Sequence, residues 1–284
     1  MKYKYYYCQR YRSQLVDFLK ENKIKYQIKP YVPNVKCIIF TLYSSMKDIK
    51  FYMEELEKIN VKNPLVNAEY SAKEYSAASF LWMYPKSQYV DLLNEEESYR
   101  YLCHYGESEG QGINHEEQVA DLVIRKVPSS KTSTAFWTFS TGWSELFTDI
   151  RVKQLAEEYA LKGLKFRNVY LKNGECCDSF FQLMSSDIIK KECIEFNHGE
   201  KVCRCPGCGK EQYYYEGTYQ LYLDVSKIQQ DVDLYFTEKI FGEGVAHPLF
   251  IISQRFYRLL KENKLAGRLN LSPVVDVSGK SIEK

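Results

Sequence analysis

The stretch Val202-Cys203-Arg204-Cys205-Pro206-Gly207-Cys208-Gly209 places three thiols within six positions of a chain that has nine cysteines in 284 residues. Two residues between Cys205 and Cys208 let both sulfurs turn toward one tetrahedral ion, and the glycines let backbone N–H groups point at them. One such knuckle supplies two ligands, and a closed zinc site takes four. The candidates for the other two are Cys203, Cys193 in KKECIEF, His198 in FNHGEK, and one member of the vicinal pair Cys176-Cys177. The expected chemistry is a structural zinc held by Cys205 and Cys208 with Cys203 and Cys193 leading for the rest, no residue being catalytic. A redox CxxC should open a helix after a strand, whereas KEQYYYEG downstream has the pattern of strand and turn.

Other chemistry is thin. His104, His115, His198 and His247 form no HExxH motif and flank no GxSxG elbow. Gly106, Gly110 and Gly112 are set among acids that would repel a phosphate, so no nucleotide loop is expected. Cys8 and Cys37 lie in apolar strand-like runs and read as buried thiols. An odd cysteine count, with neither a signal peptide nor an apolar run of about 18 residues, points to a cytoplasmic chain with no membrane partner.

The elements that position these residues fall into three segments. Residues 1–90 read strand, helix, strand, strand, helix, strand, an N-terminal α+β domain of ferredoxin-like order. Residues 91–130 form an acidic connector, with nine Asp/Glu against one Arg over 91–123. Residues 131–284 form a C-terminal α+β domain with an internal repeat. WSELFTDIRVKQLAEEYALKGLKFRNV (143–169) overlays HPLFIISQRFYRLLKENKLAGRLNLSPV (247–274) at a shift of 104, placing Arg151 on Arg255, Leu155 on Leu259 and Gly163 on Gly267. One inserted residue then aligns Leu164 with Leu269. Each copy reads as a helix, a glycine at a left-handed C-cap, then a strand. The cysteine knuckle is an insertion between the copies, which suits a clip.

Net charge is +2, but residues 1–65 hold thirteen Lys/Arg against six Asp/Glu. Basic positions such as Lys23 and Lys25 alternate rather than cluster, so nucleic acid is not an expected partner. The 25 tyrosines offer rigid area with a polar tip, which suits contact surfaces.

The order of helix, Gly163, Leu-x-Phe strand, FFQLMSS, Cys205-Pro206-Gly207-Cys208-Gly209, YQLYLDVS and ISQRFYRLLKENKLAGRLNLSPV resembles the double-CxxCG and related immunity proteins of bacterial polymorphic toxin systems, over about residues 136–275. The resemblance implies a cytoplasmic, non-enzymatic protein that binds and neutralises a cognate toxin, such as a basic nuclease that would meet the acidic segment. Only one clean CxxCG is present, so Cys193 or Cys203 would have to replace the second pair. The alternative reading is a zinc-ribbon nucleic-acid-binding protein.

Overall fold

The computed structural model describes residues 2–33, 35–62, 64–86, 89–101, 116–129, 133–139, 145–196, 200–215, 220–242 and 246–278. The fold is mixed α+β and strand-rich, with several sheets. It divides into two compact units, residues 1–74 and residues 75–216 with 220–284. No helix among the described residues is long and apolar enough to cross a membrane.

The first unit runs β1 (Lys2–Arg10), α1 (Ser13–Glu21), β2 (Tyr26–Val32), β3 (Val35–Tyr43), α2 (Ile49–Lys58) and β4 (Leu65–Glu69). Its sheet has the order β2-β3-β1-β4 with every neighbouring pair antiparallel. Strand alternation puts Tyr5 and Tyr7 of β1 and Ile38, Phe40 and Leu42 of β3 on one face, where they pack with Leu15, Val16 and Leu19 of α1 and Leu56 of α2. Tyr7 and Phe40 stack at 4.6 Å between ring centroids. Both helices therefore cover the same face of the sheet. Cys8 is exposed rather than buried because it alternates onto the other face, where Cys37 is buried between Arg10 and Lys29 in register.

After α3 (Ala72–Ala77), the second unit continues through β5 (Phe80–Pro85), β6 (Tyr89–Val90), α4 (Glu95–Ser98), β7 (Tyr99–Tyr101), β8 (Glu116–Gln118), β9 (Leu122–Ile124), β10 (Phe136–Phe139), β11 (Leu146–Asp149), α5 (Ile150–Glu158), β12 (Leu164–Leu171) and β13 (Cys176–Ser185). It then runs β14 (Ile188–Ile189), β15 (Ile194–Phe196), β16 (Glu200–Arg204), β17 (Glu211–Tyr215), β18 (Leu221–Leu223), β19 (Leu234–Phe241), β20 (His247–Ser253), α6 (Gln254–Glu262), β21 (Leu269–Pro273) and β22 (Val275–Asp276).

The repeat seen in sequence is a repeat of sheets. One sheet contains β10-β11-β13-β12 and the other β19-β20-β5-β21, each a hairpin strand, a strand that feeds a helix, a central strand, and the strand that leaves the helix. Registers coincide position for position: Asp149 opposes Phe180 as Ser253 opposes Phe80, and Phe166 opposes Leu183 as Leu271 opposes Met83. Asp149 and Ser253, 104 apart, are both N-caps whose side chains accept a backbone N–H, from Arg151 and Phe256. The central strand of the first copy follows its helix, while that of the second is β5, contributed from far earlier in the chain. That is why the units divide at Glu74 and not at residue 90: Phe80–Pro85 hydrogen-bonds to β20 and β21. Residues 91–130 likewise supply strands, β9 pairing β12, so this stretch is not merely a connector.

The two copies share a core in which Leu146 and Phe250, Val152 and Phe256, and Leu183 and Met83 are equivalent pairs. Fully burying each such side chain contributes about 1.5–3 kcal/mol. The helices end alike as well, on Ala160 (φ 47°) and Lys264 (φ 60°), with Leu161 N–H bonded to Ala156 O and Leu265 N–H to Leu260 O. The left-handed caps are thus Ala160 and Lys264, not the glycines. Gly163 and Gly267 serve close approach instead: a Cβ at Gly163 would lie 2.3 Å from Leu234 O, and one at Gly267 would lie 2.6 Å from Ser133 Cβ. Each glycine faces a segment at or just ahead of the other copy's hairpin strand, a reciprocal contact that joins the duplicates.

Candidate functional site

The knuckle sits at the tip of the β16–β17 hairpin, with β16 at the edge of the second copy's sheet. Five residue pairs, from Glu200↔Tyr215 to Arg204↔Glu211, zip the hairpin up to the turn. There Cys205 N–H donates to Lys210 O and Gly209 N–H to Cys205 O, both at 2.9 Å. Gly209 is left-handed at φ +73°, which a glycine adopts without a Cβ penalty. The sequence Cys-Pro-Gly-Cys-Gly therefore folds locally into the expected turn, with Cys205 buried and Cys208 exposed.

The other predicted ligands are placed differently from one another. Cys203 is half-buried on β16, opposite Gln212. Cys193 is buried at the end of a 3₁₀ turn, Lys191–Cys193, where its carbonyl accepts the Asp224 N–H at 2.9 Å. Burial, and then the neighbouring Glu192 charge, push the Cys193 thiol up. Cys176 and Cys177 are consecutive on β13, so their side chains leave on opposite faces and cannot share an ion. Among the described residues, no three His, Cys, Asp or Glu side chains converge in a way that could hold a metal. His198, His104, His115 and Cys103 lie outside the described residues. Of the predicted ligands, Cys203, Cys205 and Cys208 share the β16–β17 hairpin and Cys193 lies on the 3₁₀ turn ahead of β15.

What anchors the hairpin is polar and aromatic. Glu211 accepts hydrogen bonds from Arg204, from Tyr213 OH at 2.7 Å and from Lys191 Nζ at 3.2 Å, and these donors, Arg204 first, hold its carboxyl down at about 2. Lys239 is buried on β19; its Nζ donates to Ile194 O at 2.7 Å and lies 4.8 Å from the Tyr213 ring centroid. Phe196, Phe241 and Trp82 pack edge to face beside it. The strand that follows Cys193 and the strand that follows the knuckle are thus bridged by a lysine. Sequence reading missed Lys239, since one Lys in an apolar run carries no sign that it is desolvated.

The acidic segment is partly neutralised where it is described. Asp91 pairs with Arg125 at 2.5 Å and Glu117 with Arg100 at 2.7 Å, while Glu96, Glu97 and Asp121 are exposed. Comparison of the chain with known protein families and with curated proteins finds no match.

Proposed function

We propose that this chain is a non-enzymatic immunity protein, acting in the cytoplasm, that binds and neutralises a cognate bacterial toxin. The observation that carries the reading is the architecture of the second unit: a helix-strand module, a knuckle hairpin and a second copy of the module, in the order on which the resemblance to immunity proteins rests. Two modules joined through one core make a rigid platform, and rigid platforms lose little entropy on binding. The first unit is read as a ferredoxin-like sandwich, a proposal supported by the order β2-β3-β1-β4 and by helices on one face. A structural zinc on Cys205 and Cys208, completed by Cys203 or Cys193, belongs to the same proposal. It is supported by the knuckle turn alone. Glu96, Glu97 and Asp121 would steer a basic toxin toward the protein, raising the on-rate more than the affinity.

The test is co-expression with the toxin-like product of a neighbouring gene, followed by affinity purification and a growth assay. A stoichiometric complex and restored growth support the reading. Undiminished toxicity with no complex from any neighbouring gene product refutes it.

A further inference from the structure

The face of the first unit's sheet that carries no helix has a composition unlike a solvated surface. Four rows cross it in register: Lys4 beside Tyr43, Tyr6 beside Thr41, Cys8 beside Ile39 and Gln27, and Arg10 beside Cys37 and Lys29. Cys8, Arg10, Gln27, Lys29 and Tyr43 are exposed, and Tyr6 and Ile39 are half-buried. Glu69 enters at the β4 edge, opposite Lys2, and pairs with Lys4 at 3.6 Å. At the β2–β3 hairpin Arg10 also lines a groove of about 990 Å³, together with Tyr11, Pro30, Tyr31, Val32 and Lys36 among others. Tyr31 is 70% and Tyr11 48% exposed there, and none of the described residues lining the groove is a carboxylate.

Aromatic rings interleaved with cations on an open sheet match one ligand chemistry best. Unpaired bases stack on aromatic faces while Lys and Arg meet the phosphates. A duplex hides its bases, and an acidic peptide would use the cations while leaving the tyrosines idle. We propose that this face and groove bind single-stranded nucleic acid, with Tyr31 and Tyr11 stacking bases and Arg10, Lys29 and Lys36 contacting the backbone. Alternation along β1 gathers Lys4 and Arg10 onto one face. The inference rests on the first unit alone and is independent of toxin binding.

The experiment uses the full chain and fluorescent 12-nucleotide poly(U) and poly(dT), titrated at several salt concentrations, with a duplex of equal length as comparison. Three backbone contacts predict a slope of about −2 in log K against log salt, about a 20-fold loss between 50 and 200 mM. Tyr31→Ala should weaken binding about tenfold at unchanged slope, from the stacking of one base. Arg10→Ala should flatten the slope by about 0.7. Exposed Cys8 adds a second readout: bound oligonucleotide should slow its reaction with maleimide. Duplex binding as tight as single-strand binding, affinity untouched by Tyr31→Ala, or Cys8 alkylation unaffected by saturating oligonucleotide would each overturn the proposal.

Discussion

Gly163 and Gly174 share one backbone conformation and differ in surroundings, which makes them a matched pair. Gly163 has φ +86° with Leu234 O 2.3 Å and Val232 Cγ1 2.7 Å from an added Cβ; Gly174 has φ +82° with nothing within 4 Å. Alanine at either site adopts a left-handed conformation at a cost of about 1–2 kcal/mol. At Gly163 alone it must also displace a backbone carbonyl. That carbonyl accepts a 2.7 Å hydrogen bond from Ser185 Oγ, and the neighbouring Asp233 N–H donates to Lys162 O at 2.9 Å. Crowding of this kind costs about 1–3 kcal/mol, and losing one net hydrogen bond about 1 kcal/mol more. Gly163→Ala should therefore destabilise the second unit by about 3–6 kcal/mol and Gly174→Ala by about 1–2 kcal/mol. The three tryptophans, at 82, 137 and 143, all lie in this unit's part of the chain, so tryptophan fluorescence in urea follows its unfolding. With a slope of about 2 kcal/mol/M, the two midpoints should differ by about 1–2 M. Equal midpoints would refute the claim that Gly163 joins the copies by close approach.

Asp233, 3% exposed at its side chain, accepts from Lys162 N–H at 3.0 Å, Ser253 Oγ at 2.6 Å and Arg255 Nη1 at 3.4 Å, so Asp233→Ala should cost about 2–4 kcal/mol in the same urea titration, and Asp233→Asn less. Glu211 titrates at about 2 in the fold against an ordinary 4.5, a depressed value, so its contribution is complete above about pH 4.5 and fades as pH falls toward 2. Glu211→Gln should remove that part of the acid dependence, read by limited proteolysis of the 200–215 hairpin between pH 3 and 6. Metal analysis should find one zinc per chain, lost together with stability when Cys205 and Cys208 are both changed to Ser; zinc retained in that variant would show that other thiols hold it.

The duplication was legible in sequence because its signals are local. Arg151 and Arg255, Leu155 and Leu259, and Gly163 and Gly267 keep helical spacing, and the single inserted residue before Leu269 reappears as the register of β21. The N-caps Asp149 and Ser253 fall on the same shift. The partner of the second copy was not legible, because β5 lies over 160 residues ahead of β20. FLWMYP reads equally well as the last strand of the first unit, and only long-range pairing assigns it elsewhere. The glycines were read as caps, since glycine favours the left-handed region; the structure gives that task to Ala160 and Lys264, whose neighbours Leu161 and Leu265 form the closing bonds. At the knuckle the Cys205–Cys208 turn was legible and its complement was not. Where Cys193 lies relative to the hairpin is set by tertiary packing, of which its local sequence carries no mark.

The most direct test of the account is binding to the toxin it is proposed to neutralise. The purified chain, titrated by calorimetry into a catalytically dead form of the neighbouring gene's toxin, should give a 1:1 complex, and co-expression should restore growth against the active toxin. No heat of binding together with undiminished toxicity would contradict the proposed function.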